Sequence, residues 1–172
     1  MHKTQRKKKV EGSLLLKEIQ HLLDTWIRYL VFIDFLVMFI LVSTIMISDP
    51  KISISEKVLI PSIIIIIEIL TWLFLRKFAL DLQITTAGIF IKYLPFDSRY
   101  YFIPKKEVQS YEIRKNKSLQ SGKSIRKNQL TLTILNSEIF VIKTEDGEYR
   151  IGSKRTNDIR CAIEKMCQAN QY

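Results

Sequence analysis

Two apolar runs separated by ten residues limit what this chain can become: Tyr29–Ile47, "YLVFIDFLVMFILVSTIMI", and Val58–Leu75, "VLIPSIIIIIEILTWLFL". At a rise of about 1.5 Å per residue each is long enough, as a helix, to cross a hydrocarbon layer of ~30 Å. Isoleucine favours strands in water, but a lone strand in lipid leaves its backbone unsatisfied, so helices are expected. The alternative is two helices buried in a protein interior, and the rest of a 172-residue chain is too small to enclose them. The intervening "SDPKISISEK" is polar, with Asp49-Pro50 as a turn signal. A transmembrane hairpin is therefore expected over 27–78, with helices at about 27–48 and 58–76.

Each run carries one acid, Asp34 and Glu68. The apolar residues of the second run favour insertion by about 4–8 kcal/mol together, and a central acid costs about 2.5–3.5 kcal/mol, so insertion wins. In an antiparallel hairpin the two acids fall about 8–10 Å below the same boundary. One reading makes them a shared proton or ion site, since carboxylates within a membrane are functional candidates. The plainer reading, which the sequence favours, has them protonated and hydrogen-bonded between helices, or paired with Arg28 or Arg76.

Basic residues give the expected orientation. Lys3, Arg6, Lys7, Lys8, Lys9, Lys17 and Arg28 precede or open the first run, and Arg76 and Lys77 close the second. The connecting segment offers only Lys51 and Lys57, so both termini are expected in the cytoplasm, on a multi-pass protein of the cell membrane. Trp26, Tyr29 and Trp72 would then mark the cytoplasmic interface. No small-residue cleavage site follows the first run, which reads as an anchor and not a removed signal.

The arm at 1–26 combines the cluster "KTQRKKK" with "SLLLKEIQHLLDTW", where Leu15, Ile19, Leu22 and Trp26 recur at helical spacing. An amphipathic juxtamembrane helix is expected, with Lys7, Lys8 and Lys9 drawn to an anionic leaflet.

Past Lys77 the period changes from helical to alternating. "ALDLQIT", "IFIKYLPF", "RYYFI" and "VQSYEIRK" read as four strands, with "TAG" a tight turn. A polar loop over 116–128 precedes "QLTLTIL", "EIFVIKT" and "EYRIGS", three strands joined by "NS" and "EDG" hairpins. "NDIRCAIEKM" reads as a helix capped by Asn157, with Ile159, Ala162, Ile163 and Met166 as its apolar stripe. The expectation for 79–172 is seven antiparallel strands in a bent sandwich or barrel closed by one helix, hence an α + β membrane protein.

The residues "LQITTAGIFIKYLPF", "IPKKEVQSYEI", "SGKSIR" and "KTEDGEYRIGSKRTNDIRCAIEKM" carry a resemblance to pleckstrin-homology-like domains. With the preceding hairpin, the chain resembles the bacterial PH-like membrane proteins over about 27–172. That resemblance implies a cytoplasmic PH-like domain hung from the membrane. It does not imply phosphoinositide binding, because the first hairpin loop, "TTAG", is short and uncharged.

Other chemistry is poorly supported. "SGKS" lacks the glycine a phosphate-binding loop needs at 117, where Lys117 stands, and a strand follows in place of a helix. His2 and His21 are isolated, and Cys161 and Cys167 have no ligand spacing and read as half-buried apolar thiols. The carboxylates Glu107, Glu112, Glu138, Glu145 and Asp146 show no paired pattern, so neither an enzyme nor a cofactor or metal is expected. Arg114, Lys115, Lys117, Lys123, Arg126 and Lys127 bracket the loop after the fourth strand and are expected on the anionic membrane surface, the alternative being a solvated loop that adds solubility. Aromatics do not interleave with them, which argues against nucleic acid. The expected function is a non-catalytic binding or scaffolding module with an unidentified protein partner. The alternative is a small oligomeric transport or gating subunit, a homo-oligomer using Asp34 and Glu68.

Overall fold

The computed structural model describes residues 5–50, 52–116, 122–126, 129–135 and 138–168. The chain divides into two units: 1–21 together with 78–172, and 22–77.

The first unit is built on two five-stranded sheets. One has the order β1-β5-β4-β3-β2, from Gln5–Lys7 (β1), Leu14–His21 (β2), Ala79–Thr85 (β3), Gly88–Leu94 (β4) and Tyr100–Pro104 (β5). The other has the order β6-β9-β10-β8-β7, from Ser110–Lys115 (β6), Gly122–Arg126 (β7), Gln129–Thr133 (β8), Glu138–Thr144 (β9) and Gly147–Ser153 (β10). One further helix of the unit, Thr156–Gln168, touches β2 and β3 of the first sheet and β9 of the second. Its buried stripe is Ile159, Ala162, Ile163 and Met166, as the spacing predicts. That stripe joins a core that includes Leu80, Leu82, Ile84, Ile89, Ile103, Leu132, Phe140 and Ile142.

Several expectations for this unit need correction. Residues 14–21 form a strand, not an amphipathic helix. β2 pairs antiparallel with β3 from His21↔Ala79 to Leu14↔Thr85, with a bulge between Leu14 and Leu16. It leaves Ile19, expected on the apolar helix face, 45% exposed, and buries Glu18 and Gln20 instead. A strand edge presented by β3 outcompeted a weak helical period. The arm therefore belongs to the β-rich unit, and the boundary falls at 21/22 instead of 26/27.

Among the described residues eight strands, not seven, follow the apolar helices, because "GKSIR", expected in a loop, pairs with β8 from Gly122↔Thr133 to Arg126↔Gln129. The sheets are not wholly antiparallel: β8 runs parallel to β10, from Gln129↔Glu148 to Leu132↔Ile151. β8 and β9 are not neighbours in the sheet, so the hairpin expected between them does not pair; its "NS" turn, 136–137, lies outside the described residues. Among the described residues the strands close no barrel. The "EDG" hairpin does form: Thr144 faces Gly147, whose φ of +147° suits glycine, and Thr144 Oγ1 donates to the Gly147 carbonyl at 3.0 Å. The last helix begins at Thr156, so Asn157 lies within its first turn and not at the cap.

The second unit holds Ile27–Ser48 (α1) and Ile54–Arg76 (α2), and we number the helix Thr156–Gln168 as α3. No residue of α1 or α2 is buried, and both are long and apolar enough to cross a membrane. α2 starts four residues earlier than the apolar run suggests. The cause is a capping box: Ser53 Oγ accepts from the Glu56 amide at 3.3 Å, and Glu56 Oε2 accepts from the Ser53 amide at 2.9 Å. Pro61 sits inside α2, where it removes one backbone donor. Half-buried residues trace the contact seam: Val31, Phe35, Val42 and Met46 on α1, and Pro61, Ile64, Glu68 and Leu75 on α2. A short 3-10 turn, Leu22–Asp24, precedes α1 and contacts both helices.

Candidate functional site

Glu68 belongs to the seam because it follows Ile64 by four residues and Pro61 by seven. It lines a groove of about 170 Å³ with Val31, Phe32 and Phe35 of α1 and Ile65, Ile69 and Trp72 of α2. Asp34 does not line this groove. It stands one residue before the seam residue Phe35, about 100° around the helix, and is exposed. The acids expected at matched depth thus lie on different faces of the helix pair. Among the described residues neither makes a hydrogen bond or ion pair. Arg28, an expected partner for Asp34, instead lies 4.5 Å from the Tyr29 ring centroid and donates to the Tyr29 hydroxyl at 2.5 Å. A single carboxyl in an otherwise apolar groove can hold one proton or accept one donor from a molecule entering from the side.

The expected basic surface is dispersed. β6 and β7 are the opposite edges of their sheet, with three strands between them, so Arg114 and Lys115 are about 19 Å across the sheet from Lys123 and Arg126. Arg114 binds Glu112 and lies 3.9 Å from Glu148, and Lys143 lies 3.5 Å from Glu112. Those cations hold the Glu112 carboxyl below its ordinary range, the Arg114 hydrogen bond first. Lys7 is 2.5 Å from Glu11 and lies over the Phe102 ring, whereas Lys8, Lys9 and Lys115 are exposed. Lys117 and Lys127 lie outside the described residues.

Lys123 is the largest departure from that expected surface. Its ammonium donates to Asp97 Oδ1 at 2.6 Å and lies 4.7 Å from the Tyr101 ring centroid. Burial pulls its pKa down, but the bonds to Asp97 and Tyr101 and the Asp97 charge more than offset this, and the net displacement is upward. Asp97, 3% exposed, also accepts from the Tyr93 amide at 3.2 Å and from the Tyr101 hydroxyl at 3.3 Å. This cluster ties the β4–β5 loop to β7 of the other sheet.

Two further buried carboxylates carry no signal in the sequence. Glu18 accepts from the Gln20 side chain at 2.9 Å, the Ser153 hydroxyl at 2.7 Å and the Lys154 amide at 3.2 Å, joining β2 to the entry of α3. Asp81 accepts from the Tyr100 hydroxyl at 2.7 Å and from Gln83 at 3.1 Å. Burial, then the bond to Asp81, pushes the Tyr100 phenol up to about 12. No local spacing marks these partners, because they are strand neighbours or lie far apart in sequence. Among the described residues no three His, Cys, Asp or Glu side chains form a metal-binding group. Cys161 and Cys167 are both exposed on α3, not half-buried, since they flank its core stripe.

These features define an α + β chain in which two long apolar helices, one bearing a carboxyl on its seam, are inserted between two paired strands. Comparison with protein-family models, curated proteins and solved structures returns no match.

Proposed function

We propose that the chain is a two-span protein of the cell membrane, with both termini in the cytoplasm, whose PH-like β-rich unit serves as a non-catalytic binding or scaffolding module. The observation that carries the membrane assignment is the pair of unburied apolar helices inserted between β2 and β3. Hydrogen-bonded strands stand in one compartment, so the β2–β3 pairing favours an even number of crossings and one side for both termini. The excess of lysine and arginine before α1 and after α2 favours the cytoplasmic side. A strand edge is the natural peptide-docking surface in such a unit, and β6 and β7 offer two.

Glu68 gives the transport reading one supporting observation, its place in the helix groove. The two readings part in one experiment. The chain and its Asp34→Asn/Glu68→Gln variant are reconstituted in vesicles for proton and cation flux, and crosslinked to neighbours in native membranes. Scaffolding predicts that both capture the same neighbouring proteins and carry no flux. Flux by the wild type that the variant lacks, with no shared neighbours, would replace this reading by transport.

A further inference from the structure

Phe96 is the most exposed aromatic among the described residues of the β-rich unit, at 66%, and several interactions hold it there. It sits in the loop between β4 and β5. The Asp97 amide donates to the Tyr93 carbonyl at 2.9 Å, and Asp97 is itself held by the Tyr93 amide, Tyr101 and Lys123. The Phe96 ring stacks on Tyr93 at 6.0 Å between centroids with the planes 4° apart, and meets Phe78 edge-on at 5.4 Å. Pro95, Ser98 and Arg99 beside it are exposed. A fixed loop with an outward aromatic tip and a neighbouring cation has the composition of a surface built to enter an amphipathic boundary.

The sheet register says which boundary. Leu94, the last residue before the loop, pairs with Ala79, and Ala79 pairs with His21. The loop therefore lies at the end of the sheet where the chain departs for α1 and returns from α2. In sequence only Lys77 and Phe78 stand between α2 and β3.

We propose that the Phe96 loop is an interfacial wedge: the Phe96 ring enters the headgroup–acyl boundary of the bilayer, and Arg99 lies at the headgroup level. The inference rests on the membrane reading above and adds a lipid contact made by the β-rich unit itself, distinct from the basic residues at 114–127.

The test uses the full chain in lipid nanodiscs. In a Trp26→Phe/Trp72→Phe background, Phe96→Trp supplies a single reporter whose emission is compared in ordinary and acyl-brominated phosphatidylcholine. A blue-shifted emission that the brominated lipid quenches supports the wedge. Water-like emission that bromine leaves unchanged overturns it. The unsubstituted chain is the control: if its Trp26 and Trp72 are quenched while the indole introduced by Phe96→Trp is not, the wedge alone fails. If none of the three indoles is quenched, the membrane reading falls and takes the wedge with it. A second measurement avoids substitution. With a photoactivatable phospholipid, adducts on the peptide covering 93–99 support the proposal, and adducts confined to α1 and α2 overturn it.

Discussion

Replacing Glu18 with alanine tests whether the amino-terminal arm is integral to the fold. The Glu18 carboxylate, 6% exposed, receives three donors, and two of them, the Ser153 hydroxyl and the Lys154 amide, stand at the entry to α3. Gln20 keeps a second acceptor, the Gly152 carbonyl at 3.0 Å. The loss therefore falls on Ser153 and Lys154. A partly buried amide that loses this acceptor costs about 1–3 kcal/mol and the hydroxyl about 1 kcal/mol, and release of the carboxylate's own desolvation returns part of this. The net expectation is about 2–4 kcal/mol. For a unit between the small and mid-size ranges, that corresponds to a fall in melting temperature of about 6–20 °C. Glu18→Gln retains an acceptor oxygen and should lose about 1 kcal/mol. Thermal unfolding of the full chain in detergent micelles reads the stability, and hydrogen exchange at the Lys154 amide localises it. If Glu18→Ala melts with the wild type and Lys154 keeps its protection, the link between β2 and α3 is not structural and the argument fails.

Deleting residues 1–21 should unfold the β-rich unit and not merely weaken membrane attachment, because every residue of β3 is buried and one of its edges is covered by β2; circular dichroism of the truncated chain checks this. Stability should fall as pH rises through about 10–12. Tyr100 and Lys123 have folded values raised above their ordinary 10.0 and 10.5, so what they contribute is fully present below the unfolded values and lost as pH climbs through the folded ones. Tyr100→Phe should flatten that alkaline loss in denaturation midpoints measured across the range. Lys123→Met should destabilise by about 1–3 kcal/mol at neutral pH by leaving the buried Asp97 without its cation, whereas Lys115→Met should change little; denaturant titration compares them. Both Cys161 and Cys167 should react with a maleimide in the folded protein, and mass spectrometry showing one or no adduct would contradict their exposure.

The parts legible in the sequence are those where periodicity and burial agree. α1 runs over the expected 27–48, the α3 stripe follows its helical spacing, and β3 forms where the alternation marks a strand, although its polar positions Asp81 and Gln83 are buried as well. The start of α2 is also written in the chain, as the Ser53–Glu56 capping box, but lies outside the apolar run. β2 is hidden for a physical reason. Its inward positions near the carboxyl end, Glu18 and Gln20, are polar, and they are satisfied by groups more than 130 residues away. With the inward face polar and Ile19 outward, alternation carries the wrong sign, and Leu15, Ile19 and Leu22 offer a helical spacing instead. β7 is obscure on similar grounds: "GKSIR" presents one apolar residue, Ile125, which the structure leaves exposed. Arg114 and Lys115 fall on one sheet edge and Lys123 and Arg126 on the other, because nearness in sequence across a loop does not decide which edge each strand joins.

The insertion of α1 and α2 between β2 and β3 sets an order on biosynthesis. The ribosome completes β2 early, yet its mate is made only after both apolar helices have been translated. Until then β2 lacks the strand it pairs with, and Glu18 waits longer still, because Ser153 and Lys154 follow it by about 135 residues. The nascent chain must shelter a leucine-rich strand while both apolar helices are made, and β2 can pair only once β3 has followed them.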